Sequence, residues 1–288
     1  MPIRITRNTH PIAAKPDLCG SLSYWLQRLI PFRQPIGRHR ASGLRLQFGR
    51  RDDVGRHILR YQTYEPAISA WLFGWLAART EPGLFIDIGA NIGWFSLNAA
   101  RLPVVSQVLA FEPDAGNHQL LCENLALNGV GERVLPIACA LGARRGFALL
   151  HRYRASNRGR HSLLQAYGEG QSLVAVDALD TLLTELGHTL TPIHAIKLDV
   201  EGYEPAVLAG ALETLARVHV LVIELSPALS AAGGLDFSAM LAVLASAGFV
   251  PQAWDRAGDV PNMTGLADCA GQCTVVLLRE LVSPCTHL

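Results

Sequence analysis

The 288-residue sequence lacks several features that define whole classes of protein. It contains no uninterrupted run of 18 apolar residues, so we expect no membrane-spanning helix. Half of its residues are apolar and only 17% are charged, which excludes an intrinsically disordered chain. The formal net charge is only +1, so electrostatic binding to nucleic acid is not its expected role. These absences leave a folded globular protein of one or two domains.

Cysteine patterns for metal or disulfide chemistry are also missing. The six cysteines are scattered, with no CxxC pair and no histidine at zinc-finger spacing. The N-terminal residues lack the apolar core of a secretory signal. The sequence therefore predicts reduced cysteines, no metal site of this type and a cytoplasmic location.

Charge is distributed unevenly along the chain. Residues 1–60 hold 12 Lys and Arg against 3 Asp and Glu, whereas residues 61–288 hold 13 against 21. We therefore expect a basic, proline-rich and irregular N-terminal arm over residues 1–55 and one α/β domain over residues 56–288. The domain is expected to fold without residues 1–50.

One segment of the arm predicts a short amphipathic helix. Residues 22–31 (LSYWLQRLIP) place Tyr24, Trp25 and several aliphatic side chains beside arginines. Such a helix is able to contact a membrane surface peripherally. The alternative is that it packs on the body of the protein.

Helical and strand patterns alternate from residue 60 onward. This order indicates a mostly parallel sheet covered by helices on both faces, with the last strand returning antiparallel. A basic, turn-rich stretch over residues 142–172 interrupts the alternation and is expected to form a surface loop or a β-excursion. Strands are predicted over 83–88, 107–111, 133–138, 194–199, 219–224, 249–254 and 273–279, and helices over 66–78, 94–102, 114–128, 177–186, 203–215 and 237–247.

The first chemical signal is a glycine turn between a buried strand and a helix. Asp87 ends the strand, and the chain turns from Gly89 to Gly93. Glycines permit a ligand to approach the backbone, and a helix N-terminus favours an anion, while Asp87 is able to accept from an ammonium group. The turn lacks the GxGxxG spacing of a dinucleotide site. A cofactor with both a carboxylate and an ammonium group would suit it.

The second signal is an acid at the end of the next strand. Glu112 lies 23 residues after Gly89, where a carboxylate is able to hold both hydroxyls of a ribose. NAD sites use the same contact, so Glu112 predicts a ribose and not a particular cofactor. Asp114 is expected to cap the following helix.

The third signal is the stretch IKLDVEGYE. Alternation places Lys197, Asp199 and Glu201 on one side of an extended segment at the carboxyl edge of the sheet, where ligands bind in open α/β folds. Lys197 is one of two lysines and lies in an apolar strand, so it needs a carboxylate partner. A purely structural ion pair is the alternative.

Several motifs in order resemble one family. They cover residues 60–255 and comprise FIDIGANIGWFSL, FEPD, the helix with Asn124 and Asn128, VLPIACALG, VDALDTLL, IKLDVEGYEPAVLAGA and the Tyr64-Glu65-Pro66 helix start. Together they resemble the FkbM family of S-adenosylmethionine-dependent methyltransferases. The resemblance implies a Rossmann-like class I methyltransferase fold with a seven-stranded sheet.

The resemblance also implies roles for individual residues. The turn of Asp87, Gly89, Ala90, Asn91 and Gly93 would hold the methionine part of S-adenosylmethionine, and Glu112 its ribose. Residues 138–141, with Ala140 among them, would line the adenine slot. Family members often have Asn where this chain has Ala138, which leaves the adenine-side hydrogen bonding open.

The same resemblance sets the expected catalytic groups. Asp199 would lie at the reactive end of the cofactor, with Glu201 and Lys197 beside it. Asp199 is the first candidate for the base or substrate orienter, and Glu201 the second. Asp199 and Glu201 lack a third ligand, so no metal site is predicted.

The expected reaction is O-methylation of a hydroxyl on a sugar, glycan or polyketide-like product, with no nucleic-acid partner. The basic loop over residues 152–160 is compatible with an anionic acceptor. The alternatives are an NAD-linked oxidoreductase of related fold and a non-catalytic scaffold of methyltransferase-like fold. The sequence does not give the oligomeric state.

Overall fold

The computed structural model describes residues 17–28, 35–49, 52–154 and 157–280. Its strands and helices alternate through most of the chain, as the sequence predicts. The strands are β1 (Ile36–Arg38), β2 (Arg45–Gln47), β3 (Gly83–Ile88), β4 (Val105–Phe111), β5 (Val134–Ile137), β6 (Ala140–Leu141), β7 (Gly146–His151), β8 (Gln171–Asp177), β9 (Ile193–Leu198), β10 (Val218–Leu225), β11 (Phe249–Trp254) and β12 (Cys273–Arg279). The helices are α1 (Leu18–Arg28), α2 (Asp53–Tyr61), α3 (Pro66–Ala77), α4 (Trp94–Ala99), α5 (Ala115–Leu127), α6 (Leu179–Glu185), α7 (Glu204–Ala209), α8 (Leu212–Leu215), α9 (Pro227–Ala232) and α10 (Phe237–Ser246).

Seven strands form the main sheet in the spatial order β11-β12-β10-β9-β3-β4-β5. All neighbouring pairs are parallel except the two that involve β12, which runs antiparallel to β10 and β11. The Rossmann-like α/β fold and the antiparallel return of the last strand are therefore confirmed. The strand order reverses between β3 and β9, and such a switch point is where open α/β sheets bind ligands.

Helices cover both faces of this sheet. Alternate residues of each strand point to opposite faces, so Phe85 joins one hydrophobic core and Leu84 and Ile86 join the other. The first core contains residues of α2, α3, α4 and α5, and the second contains residues of α6, α7, α8 and α10. Ala195 and Val222 share the face of Phe85, which places the polar ends of β9 and β10 on that same face.

Part of the stretch over residues 142–172 belongs to a second, smaller sheet. Strands β6, β8 and β7 form it in that order, with β7 and β8 antiparallel. Strand β7 and the start of β8 are the expected β-excursion, whereas the described residues between them, 152–154 and 157–170, lie outside any named strand. The outer side of this sheet carries exposed apolar side chains such as Phe147, which is 76% exposed.

The N-terminal region differs from the expected irregular arm. Strands β1 and β2 form a hairpin, and Leu44, Leu46 and Phe48 are fully buried in the first core. The predicted boundary after residue 55 falls inside α2, which Asp52 caps by accepting from two backbone N–H groups. Residues 35–49 are thus part of the folded body, because the side chains of Leu44, Leu46 and Phe48 pack in the core beside α2 and α5.

Helix α1 overlaps the predicted amphipathic segment, whose last residues, 29–31, lie outside the described residues. The helix begins at Leu18 and packs near α2, where the Asp17 N–H donates to the Arg60 carbonyl. It also presents exposed apolar side chains to solvent, namely those of Leu18, Leu22, Trp25 and Leu26. Within the described segments, we find no helix with the length and apolarity needed to cross a bilayer.

Candidate active site

A cavity of about 280 Å³ lies at the carboxyl edge of the main sheet, at the β3–β9 switch point. This volume is near the lower end of the range for small-molecule sites. Nine of the ten residues singled out from the sequence line it: Asp87, Gly89, Ala90, Asn91, Glu112, Ala140, Lys197, Asp199 and Glu201. Gly93 does not line it. A side chain at Gly93 would instead approach Leu121 to 2.7 Å, so this glycine serves helix packing.

The glycine turn is shaped by the close approach of two strand ends. Gly89 has a φ of 80°, and a Cβ at this position would collide with the backbone carbonyl of Asp199. Only glycine therefore fits where the β3 and β9 ends meet. Asp87 is buried and accepts a hydrogen bond of 2.5 Å from Ser96 Oγ, and burial raises its pKa to about 6.

Glu112 joins the glycine turn to the start of α5. One carboxyl oxygen accepts from the Asn91 backbone N–H at 2.8 Å, and the other accepts from the Asp114 N–H at 2.9 Å. Each oxygen retains a second lone pair for a ligand. Burial raises the pKa of Glu112 to about 8, which outweighs these two hydrogen bonds. As expected, Asp114 caps α5 by accepting from two backbone N–H groups.

Lys197 is the buried cation of the site, with only 2% of its side chain exposed. Its Nζ lies 3.2 Å from Asp199 Oδ2, 3.9 Å from Glu65 Oε2 and 5.2 Å from the centre of the Phe95 ring. Burial opposes the ammonium charge, but the surrounding carboxylates outweigh it and raise the pKa of Lys197. The partner that the sequence required for this lysine is therefore present.

Asp199 belongs to a group of three carboxyls. Oxygen atoms of Asp199, Glu201 and Glu224 all lie within 4.8 Å of one another. Burial favours the neutral form of Asp199, but Lys197 outweighs burial and lowers the pKa of Asp199. Glu224 supplies the third carboxyl that the sequence argument against a metal site found missing. The Lys197 ammonium supplies a positive charge beside these carboxyls. The absence of a metal site stays a prediction.

Glu201 is fixed by contacts from two other elements. Gln272 Nε2, just before β12, donates to its Oε2 at 2.5 Å, and Arg160 Nε lies 3.6 Å from its Oε1. Its backbone is left-handed at a φ of 50°, which is uncommon for a residue with a side chain. Burial, followed by Asp199, raises the pKa of Glu201 to about 7.

The segment of residues 157–163 crosses one side of the cavity. Asn117 Nδ2 donates to the Arg158 carbonyl at 3.1 Å, and Ser162 Oγ donates to the Glu201 carbonyl at 3.1 Å. Asn117 Oδ1 is buried and accepts from no donor among the residues that the structure describes, although the residue lines the cavity. The segment of residues 157–163 is therefore held against the site, and Asn117 Oδ1 is an acceptor atom available to a ligand.

Sequence reasoning missed several lining residues. Glu224 could have been found, because it is a lone carboxylate near the end of the apolar strand VHVLVIEL, the same signal that identified Asp87. Glu65 was quoted only as part of a helix start. Gln272 and Asn117 carry no such signal, since they reach the cavity through tertiary packing.

The cavity wall is strongly acidic overall. It contains six carboxyl groups and three Lys and Arg side chains, those of Lys197, Arg158 and Arg160. The carboxyl groups are Glu65, Asp87, Glu112, Asp199, Glu201 and Glu224. Burial raises the pKa of several of them, so a cationic ligand would relieve an unfavourable arrangement.

Comparison with known proteins identifies the domain. Residues 87–251, more than half of the chain, match the model of the methyltransferase FkbM domain. The methyltransferase sdnD of Sordaria araneosa is 29% identical over 155 residues, which cover 44% of this chain and 60% of that protein. The hexuronic acid methyltransferase AglP of Haloferax volcanii is 28% identical over 145 residues, covering 50% of this chain and 56% of that protein. The chain thus spans less than two thirds of the length of these relatives.

Two solved structures show a distant likeness to this chain. A protein of the NADB-Rossmann superfamily from Streptococcus agalactiae matches with a TM-score of 0.40 and 12% identity, covering 74% of this chain and 68% of the other. Precorrin-6y C5,15-methyltransferase from Geobacter metallireducens gives a TM-score of 0.40 and 12% identity, with 75% and 88% coverage. On the match over residues 87–251, the chain belongs to the FkbM methyltransferase family.

Proposed function

We propose that this protein is an S-adenosylmethionine-dependent methyltransferase. The observation that carries the proposal is the surplus of carboxyl groups around one buried lysine in the cavity at the switch point. S-adenosylmethionine carries a sulfonium and an ammonium charge against a single carboxylate, so it complements this wall. NAD carries a diphosphate, which the same carboxylates would repel, and the turn at Gly89 lacks the dinucleotide spacing.

The lining residues fit each part of this cofactor. Asp87 and the turn through Asn91 would hold the amino-acid end, and Glu112 would accept from the ribose hydroxyls through its free lone pairs. Cys139, Ala140 and Leu141 line the cavity where the adenine is expected, whereas Ala138 does not. The donor-free Asn117 Oδ1 supports the fit, because a nucleoside offers hydroxyl and amine donors.

The bound cofactor would supply an activated methyl group, so the protein need not create an electrophile. The remaining tasks are to orient an acceptor hydroxyl and to take its proton. Asp199 is paired with Lys197, which lowers its pKa and makes it a better orienter than base. Glu201, with its raised pKa and its contacts to Gln272 and Arg160, would position the acceptor side of the cavity.

We further propose a hydroxyl of a sugar, glycan or polyketide-like product as the acceptor. Arg158 and Arg160 line the cavity and are suited to a carboxylate or phosphate on that acceptor. One relative is a hexuronic acid methyltransferase, which supports an acidic sugar. Arg160 is 39% exposed, so it is accessible to a ligand that enters from solvent.

The proposal is tested by transfer of a tritiated methyl group to glucuronate-terminated and glucose-terminated oligosaccharides. We expect transfer to the acidic acceptor and a large loss of that transfer in Arg160→Gln. The exposed Glu132→Ala serves as the matched control and should behave as wild type. Tight binding of NAD with no binding of S-adenosylhomocysteine would favour the oxidoreductase, and binding of neither would favour a non-catalytic scaffold.

We also propose peripheral membrane contact through the N-terminal region, and a cytoplasmic location. The exposed apolar side chains of α1 and the positive charge of residues 1–60 support membrane contact. Co-sedimentation with vesicles containing phosphatidylserine tests it. Leu22→Asp should abolish binding, and equal binding of this variant would contradict the proposal.

A further inference from the structure

Glu224 is a carboxyl group of the cavity that the proposed function does not yet use. It lies on β10, on the sheet face that also carries Asp87 and Lys197. In the parallel register Val222 lies opposite Lys197, so Glu224 extends beyond the lysine toward the carboxyl edge. Its neighbour on the other side is Thr274 of β12. Glu224 therefore faces the cavity between the Lys197 ammonium and the strand ends.

The positive charges near Glu224 are already engaged by other carboxylates. Lys197 Nζ is 3.2 Å from Asp199, and Arg160 Nε is 3.6 Å from Glu201. Within the segments that the structure describes, no Lys or Arg nitrogen lies within 4.0 Å of the Glu224 carboxyl. Two ionised carboxylates at such short separation repel strongly when buried.

Sharing a proton resolves this conflict. Asp199 is the stronger acid of the two because it holds the lysine, so the proton resides on Glu224 and is donated toward Asp199. The charge of Asp199, followed by burial, raises the pKa of Glu224 to about 11. Glu201 adds to this effect, and Lys197 opposes it.

We propose that Asp199 and Glu224 form a carboxyl pair that holds one proton in the ligand-free protein. Glu224 would lose this proton to solvent when a cationic cofactor binds, and it would then serve as the base for the acceptor hydroxyl. This inference rests on the proposed function for the identity of the cofactor. The proton on the pair depends only on the geometry of the cavity.

The reaction balances around this group. The acceptor O–H bond breaks, and its proton passes to the Glu224 carboxylate while the oxygen forms a bond to the methyl carbon. The bound cofactor would supply the methyl group, and the electron pair of its broken sulfur–methyl bond would remain on a neutral thioether sulfur. Loss of the sulfonium charge restores the conditions under which the pair retains a proton, and one proton leaves to solvent when the next cofactor binds.

The first experiment is infrared spectroscopy of the ligand-free protein at neutral pH, with ¹³C-labelled glutamate. The difference spectrum of wild type minus Glu224→Gln should show a band from the protonated carboxyl group of Glu224. Glu204→Gln is the matched control, because Glu204 is a buried carboxyl outside the cavity lining, and the band assigned to Glu224 should remain in this variant. An ionised Glu224 in the ligand-free protein would overturn the proposal, whatever the cofactor.

The second experiment measures proton release on ligand binding by calorimetry in buffers of different ionisation enthalpy. S-adenosylmethionine should release about one proton more than S-adenosylhomocysteine from wild type, and this difference should vanish in Glu224→Gln. The same difference in both proteins would overturn the proposal. Failure of both ligands to bind would instead refute the proposed function, while the infrared band would still decide the state of the pair.

The third readout separates a base from a structural group. In the methyl-transfer assay Glu224→Gln should lower kcat by about 10²-fold or more while the KM for the cofactor changes little. Glu224→Asp should restore part of the rate because it keeps an ionisable group. Wild-type kcat in Glu224→Gln would contradict the assignment.

Discussion

Glu112 is the residue whose replacement should separate cofactor binding from folding. Its two oxygens hold the Asn91 and Asp114 backbone N–H groups, and its remaining lone pairs face the cavity. Glu112→Ala leaves two N–H groups without their acceptor, which costs about 1–3 kcal/mol each. We therefore expect a measurable loss of unfolding free energy in addition to a binding defect.

The binding defect follows from the ribose. Above its pKa of about 8 Glu112 is ionised, and there a hydrogen bond to its charged carboxylate is worth about 1.5–3 kcal/mol; two such bonds to the ribose diol would be lost in the variant. Because about 1.4 kcal/mol corresponds to a tenfold change, the Kd for S-adenosylhomocysteine should rise by about two orders of magnitude or more. The Kd of Glu112→Gln should lie between those of wild type and Glu112→Ala. Gln keeps one acceptor oxygen, but it turns an amide donor toward the other backbone N–H.

Isothermal titration calorimetry with S-adenosylhomocysteine measures this loss, and urea unfolding measures the stability of the same preparations. Glu132→Ala is the control because Glu132 is an exposed glutamate on the same domain. The loss should appear with adenosine, which contains the ribose, and be absent with methionine. A folded Glu112→Ala protein with unchanged affinity would refute the ribose assignment.

Three further predictions concern stability and charge. Phe48→Ala should lower the unfolding free energy by about 3–5 kcal/mol, because Phe48 is fully buried, whereas the exposed Phe147→Ala should change it by about 0.5 kcal/mol or less in urea unfolding. Burial raises the pKa of Glu204 to about 8 in the folded protein, so its protonated form favours folding. This stabilising contribution is complete below the ordinary pKa of Glu204 and is lost as pH rises through about 8. Glu204→Gln should remove this part of the pH dependence of the unfolding free energy, and the same slope against pH in both proteins would contradict the prediction. Asp199→Asn should abolish methyl transfer and cost about 3–5 kcal/mol of stability by leaving Lys197 without its closest partner; a variant as active and stable as wild type would refute the pairing.

Much of the main sheet was predictable because its signals are local. Runs such as GLFIDI combine an apolar strand with one acidic residue at the carboxyl end, which gives both the strand and the site position of Asp87. The same logic identified Glu112 and the Lys197–Asp199 pair. Parallel strands bring such ends to one edge, so the sequence alone is enough to place residues that are far apart in the chain at a common site.

The N-terminal hairpin was not predictable in the same way. Strands β1 and β2 have three residues each, too few to show alternation, and the surrounding arginines and prolines are typical of an irregular segment. Only the fold shows that Leu44, Leu46 and Phe48 enter the first core. Consequently, deletion of residues 1–50 should destabilise the body, contrary to the expectation from sequence.

The contacts that surround the acids depend on tertiary structure too. Gln272 lies 71 residues from Glu201 and reaches it because β12 folds back beside β10. Arg158 and Asn117 meet because the segment of residues 157–163 packs across the cavity. Neither spacing has a sequence signature, and the Gln272 hydrogen bond partly offsets the rise in the pKa of Glu201.

We propose above all that the acidic cavity binds a cationic nucleoside cofactor. The most direct measurement is the affinity of the protein for S-adenosylmethionine and for NAD at a series of pH values. S-adenosylmethionine should bind more tightly as pH rises from about 6 to 8, because Asp87 and Glu201, with pKa values of about 6 and about 7, become ionised. NAD should bind weakly throughout. Tighter binding of NAD, or an affinity for S-adenosylmethionine that falls as these carboxyls ionise, would contradict the account.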